Sequence, residues 1–260
     1  MLGLGSTLMG GAAVSADFTP ASISSLDIWY DFSTTTASDG SAFSTHANLG
    51  DAGSNYNLAS HATATKKPSV DTSTLNARSA SFDGGDSFIL DNPYTTTGET
   101  FTVFWVIKKN NVGESDVLVA GTESSPINKI LLATANAITV QFNGEVDADS
   151  DNSAVNLFVN NTNNSTANEP FTTATNIYVL TKTADETVKL YSKDNFVGQV
   201  TADDSGDETT NLRFERIGAQ SNSGSALTAH IGEMGVYNAV ISDADRNSLI
   251  DHLKTKWGLS

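Results

Sequence analysis

A chain of 260 residues with 38% hydrophobic and only 17% charged side chains has enough apolar matter for one sizeable core, and its wealth of Ser, Thr, Asn, Asp and Gly suits short strands joined by polar turns. Thirty acidic against fourteen basic residues leave a formal charge of −16, which argues against nucleic acid or an anionic membrane as partner, because both need clustered Lys and Arg. Cysteine does not occur, so disulfide frameworks and thiolate metal sites are excluded, and no apolar run reaches the roughly 20 residues of a membrane-spanning helix.

The chain opens on MLGLGSTLMGGAAVSADF. Val14-Ser15-Ala16 has the small residues of a leader cleavage site, but no Lys or Arg precedes the apolar part and glycines interrupt it. Residues 1–23 are therefore expected to be an arm whose Met1, Leu2, Leu4, Leu8 and Met9 make assembly contacts, with residues 24–260 as one domain. The first strand signal is Leu26 to Phe32, with Leu26, Ile28, Tyr30 and Phe32 on one face. A long polar stretch, Ser33 to Asn76, follows, broken only by Phe43, Leu49, Tyr56 and Leu58; such length implies function or local packing. In Ser79 to Leu90, Phe82 leads into Asp83-Gly84-Gly85-Asp86 and Phe88 and Leu90 alternate out of it, which predicts a hairpin. Thr100 to Lys108 is apolar on both faces, so both are expected to be covered. Strands are then predicted at 116–120, 129–134, 137–143, 155–159, 176–183, 186–192, 195–201 and 212–219, with hairpin turns at Thr183-Ala184-Asp185 and Lys193-Asp194-Asn195.

At the end, Ala229 to Leu259, alternation through Ile231, Met234 and Val236 gives way to helical spacing at Leu249, Ile250, Leu253 and Trp257. Ser242 and Asp245 fit a capping box, His252, Lys254 and Lys256 fill the last turns, and Gly258 sits where a left-handed residue ends a helix. The helix is expected to clamp the sandwich and leave Asp251, Lys254 and Lys256 in water. Two layers of antiparallel strands are the most economical arrangement.

The segments LDIWYDFS, SFDGGDSFIL, ETFTVFWVIKK and IGEMGVYNAVISDADRNSLIDHLKTKWGL, in that order, resemble the concanavalin A-like, laminin-G-like superfamily over residues 24–259. The resemblance implies an all-β fold: an antiparallel two-sheet jelly-roll sandwich with one short C-terminal helix. Domains of this kind with a Gly-rich MLGLG-like start resemble proteins of tailed bacteriophages, particularly marine ones, where they decorate heads, tails or fibres.

Candidate chemistry is sparse. Glu145 and Asp147 partly match the E-x-D-x-x-E strand of laminarinase-like glycosidases, but Ser150 stands where that family has its acid/base Glu, and a serine cannot protonate the leaving oxygen. Asp147, Asp149 and Asp151 alternate as oxygen ligands for Ca²⁺ could, and laminin-G-like domains often bind calcium through loop carboxylates. The four histidines form no metal spacing, and no G-x-S-x-G elbow occurs. Glycan binding needs exposed aromatic rings; Trp29, Trp105 and Trp257 fall in core patterns, which leaves Tyr56 and Tyr94 in polar segments as the candidates. The expectation is a non-enzymatic accessory protein on the outer surface of a phage particle, with other virion proteins and copies of itself as partners and host glycans as ligands. A secreted or cell-surface lectin-like module is the alternative, and a laminarinase-like hydrolase a distant third.

Overall fold

The computed structural model describes residues 18–111, 116–121, 129–133, 137–141, 154–158, 172–185, 187–201, 211–220 and 226–260. The strands are β1 (Leu26–Asp31), β2 (Thr45–His46), β3 (Leu58–Ser60), β4 (Ser69–Asp71), β5 (Ser79–Asp83), β6 (Phe88–Thr95), β7 (Phe101–Lys109) and β8 (Asp116–Ala120). They continue as β9 (Lys129–Ala133), β10 (Ala137–Gln141), β11 (Ala154–Phe158), β12 (Asn176–Lys182), β13 (Thr187–Ser192), β14 (Asn195–Thr201), β15 (Arg213–Ile217) and β16 (Thr228–Tyr237), before helix α1 (Asp243–Trp257). All pairings are antiparallel. One sheet runs β14-β13-β12-β7-β16-β5-β4, and the other runs β11-β10-β9-β8-β15-β6-β3-β2. The expected all-β two-sheet sandwich with a single C-terminal α-helix is what the described residues form.

β16 holds the first sheet together. One edge pairs with β7 along its length; the other pairs with β5 through Thr228–Ile231 and with β1 through Glu233–Tyr237. First and last strands thereby meet. β7 alternates as its sequence demands: Val103, Trp105 and Ile107 enter the core between the sheets, while Phe104 and Val106 face the other way, into a second cluster under α1. Leu249, Ile250, Leu253 and Trp257 complete that cluster, each fully burying side chain being worth about 1.5–3 kcal/mol. Ser242 caps the helix by accepting from the Asp245 amide at 3.1 Å, and Gly258 ends it at φ 65°. Phe18 and Ile23 also pack against this cluster, and the Tyr237 hydroxyl donates to the Pro20 carbonyl. Met1, Leu2, Leu4, Leu8 and Met9 lie outside the described residues.

Two expectations need correction, and a third is filled in. Ser79 to Leu90 is not a hairpin: β5 belongs to one sheet and β6 to the other, so Asp83-Gly84-Gly85-Asp86 carries the chain across the sandwich. The physical reason is that Phe82 and Phe88 both point into the core, where their rings meet edge to face at 5.8 Å. The polar stretch Ser33–Asn76 packs locally, as its length implied. It contains β2, β3 and β4, and Asn48 alone accepts from the Trp29 and Gly50 amides while donating to the Asp27 and Gly53 carbonyls. Lys254, mostly buried on its pair with Asp194, does not stand in water, and neither, finally, does Lys256. Its ammonium bridges Asp31 (2.7 Å) and the fully buried Glu233 (2.6 Å). Glu233 also accepts from the indoles of Trp29 (2.7 Å) and Trp257 (3.1 Å), so one carboxylate ties the first strand, the last strand and the helix. Burial pushes its carboxyl up, with Lys256 opposing.

Candidate functional site

Three connections cross from one sheet to the other at the same end of the sandwich. Residues 61–68 run from β3 to β4, residues 84–87 from β5 to β6, and the chain after β15 returns to β16. They are stitched together: the Ser87 amide donates to the Lys66 carbonyl at 3.1 Å, the Gly84 amide to Leu227 at 3.0 Å, and the Leu227 amide to Gly218 at 2.6 Å. Gly218 sits at φ 93° against the Phe82 ring, a place where a side chain would meet both backbone strain and that ring. Between these connections lies a cleft of about 120 Å³, lined by His61 and Lys66 from the first, Gly84, Gly85 and Ser87 from the second, Ala219, Gln220 and Ala226 from the third, and Arg216 near the end of β15.

In a strongly acidic protein this cleft is cationic. Arg216 sits between the inward-facing Phe214 and Ile217, past an irregularity in the β15–β6 register that turns it away from the core. Its Nε is buried without a hydrogen-bond partner, and among the described residues no carboxylate pairs with it or with Lys66. Desolvation, with Lys66 and Arg216 beside it, holds the His61 imidazole below its ordinary range. The neighbouring acids turn into their own crossover: Asp83 accepts from the Gly85 amide at 3.0 Å and Asp86 from the Asp83 amide at 3.1 Å. Burial pushes Asp86 up to about 6, with Asp83 adding to the rise.

The residues singled out from sequence lie elsewhere. Tyr94 is not in a polar loop but in β6, with 2% of its surface exposed, and its hydroxyl donates to Asp27 Oδ2 at 2.9 Å. Its ring has no free face for a sugar, because Tyr56 packs edge-on at 5.5 Å and Phe214 lies at 5.5 Å. Tyr56 is half-buried against it and closes the Tyr30 hydroxyl bond with its own carbonyl. Trp105 and Trp257 are buried as expected, and Trp29 is half-buried with its indole on Glu233. Among the described residues Phe196, near the start of β14, is instead the ring that stands half exposed. Asp147, Asp149 and Asp151, with Glu145 and Ser150, lie outside the described residues. The sequence did not single out His61, Lys66 or Arg216. Their one local signal is Lys66-Lys67, a basic doublet in an acidic chain.

No family model and no curated protein sequence matches the chain. Solved structures do. The botulinum neurotoxin serotype D binding domain is similar with a TM-score of 0.59 and 13% identity over 90% of this chain and 54% of that one. The binding domain of Paraclostridial Mosquitocidal Protein 1 gives 0.58 and 11% over 90% and 55%. A botulinum neurotoxin serotype D ligand binding domain in complex with N-acetylneuraminic acid gives 0.54 and 13% over 88% and 51%. The chain spans about half the length of each, and at these identities the shared property is the sandwich fold.

Proposed function

We propose that the chain is a carbohydrate-binding module that holds glycans without transforming them. The crossover cleft carries the reading. Donor groups from three connections converge there, with Arg216 Nε buried and lacking an acceptor, and sugar hydroxyls and their substituents are rich in acceptors. The hydrogen bonds between the connections hold the lining in place before any ligand arrives, which lowers the ordering cost of binding. Two further facts support the reading: the fold is shared with receptor-binding domains, one solved with N-acetylneuraminic acid, and Ser150 replaces the acid/base carboxylate that the resembled hydrolases require. Probing an array of diverse glycans with the labelled protein tests it. A discrete set of bound glycans is expected, and a blank array contradicts the proposal.

Where the module is displayed is a separate proposal that rests on the sequence resemblance alone: the outer surface of a bacteriophage particle, among other virion proteins and copies of this chain. Detection of the chain by mass spectrometry in purified virions supports it, and its presence only in secreted or cell-surface fractions contradicts it.

A further inference from the structure

Resting on the carbohydrate-binding reading, we infer that the crossover cleft recognises the anionic group of an acidic sugar, a carboxylate or sulfate ester, at the end of a glycan. Size is the first argument. At about 120 Å³ the cleft is well below the roughly 300–1,000 Å³ of pockets that enclose a whole drug-sized ligand, so it fits one substituent and the ring edge that bears it.

Charge is the second. Lys66, from the β3–β4 connection, and Arg216, from β15, line the same cavity, and neither has a carboxylate partner among the described residues. Four cations elsewhere are paired with carboxylates: Lys109 with Asp116, Lys254 with Asp194, Lys256 with Asp31 and Glu233, and Arg246 with Asp243. Two unpaired cations converging on one cavity, in a chain with thirty acidic residues, set this place apart. The buried Arg216 Nε is the third argument. That Nε finds no acceptor among the described residues, and where the Arg216 guanidinium lines the cleft a planar carboxylate or a sulfate is the acceptor its fork is shaped for. Ser87 and Gln220 add polar side chains to the same lining. Asp83 and Asp86 accept amides of their own crossover and form no ion pair with Lys66 or Arg216 among the described residues. The overall negative charge is screened beyond about 8 Å at physiological ionic strength, so the local cations decide the contact.

Calorimetric titration of the whole chain with N-acetylneuraminic acid, galacturonic acid, the neutral sugars N-acetylmannosamine and galactose, and sodium sulfate tests the inference. The acidic sugars are expected to bind at least tenfold more tightly than the neutral ones. Arg216→Gln is expected to weaken them at least tenfold and Lys66→Gln severalfold, with Arg216→Lys between wild type and Arg216→Gln. Thermal melts of each variant separate lost contacts from lost folding, and Lys66→Gln, on a surface connection, serves if Arg216→Gln fails to fold. Equal affinity for acidic and neutral sugars, or acidic-sugar binding unchanged in the folded variants, overturns the inference while the carbohydrate-binding reading stands. Sulfate binding that Lys66→Gln weakens, with no sugar bound, keeps the anion site and overturns the carbohydrate reading.

Discussion

The docking of α1 on β16 can be tested through one contact. A methyl group placed on Gly232 would lie 2.5 Å from Cη2, 2.7 Å from Cζ2 and 2.8 Å from Cζ3 of Trp257, where carbon atoms at rest keep about 3.5–4.0 Å. Gly232→Ala therefore requires the indole to move by about 1 Å, and overpacking of this kind costs about 1–3 kcal/mol. The same ring donates to Glu233 at 3.1 Å; if the shift breaks that bond to a charged acceptor, about 1.5–3 kcal/mol more is lost. Trp257→Ala removes the ring and is expected to cost about 3–5 kcal/mol, since only 2% of it is exposed. In the double variant the methyl meets no ring and fills part of the space left behind. Its stability should lie close to that of Trp257→Ala alone, a coupling of about 1–3 kcal/mol. Urea denaturation followed by far-ultraviolet circular dichroism measures all four species without relying on the deleted fluorophore. Additivity within about 0.3–0.5 kcal/mol would show that the ring does not lie on Gly232, and the account of the helix clamp would fall.

Lys109 and Asp116 form a 2.7 Å ion pair with about 1% exposure on each side, and Asp116 also accepts from the Thr228 amide. Asp116→Ala should cost about 3–5 kcal/mol in urea melts by stranding the ammonium, whereas Lys109→Met with Asp116→Leu together should cost clearly less; equal losses would contradict this. Tyr94→Phe should lower stability by about 1–3 kcal/mol, because it leaves Asp27 without its donor, and should leave glycan binding unchanged. Loss of binding without loss of stability would restore Tyr94 as a ligand contact. Asp86, raised to about 6, holds its proton more tightly folded than unfolded. Its contribution is full below its ordinary pKa near 4 and is lost as pH rises through about 6, so Asp86→Asn should flatten the stability curve between pH 4 and 7; an unchanged slope would refute the assignment.

Regular periodicity made much of the fold legible. Alternation through Thr100–Lys108 predicted a strand covered on both faces, which forms as Phe101–Lys109, and helical spacing with its caps predicted α1 within a residue or two. Failures came where one local pattern fits two global arrangements. SASFDGGDSFIL reads equally as a hairpin or as a sheet crossover, and only the meeting of Phe82 and Phe88 from opposite sheets decides between them. Polar residues between Ser33 and Asn76 concealed short strands, because side chains such as Asn48 supply the backbone hydrogen bonds there. Tyr94 looked exposed beside Asp91 and Asn92, yet β6 turns it inward against Phe214.

The cleft was the least legible part, since Arg216 is far in sequence from His61 and Lys66 and meets them only because the crossovers share one end of the sandwich. No period or spacing encodes that meeting. The register irregularity in β15 that turns Arg216 outward likewise depends on its pairing with β6.

A side-by-side glycan array with wild type and Arg216→Gln, their thermal melts first shown to coincide, tests the central claim most directly. The account predicts that wild type binds a discrete set of glycans and that the variant loses them. A blank array for wild type, or the same set bound by both proteins, would contradict it.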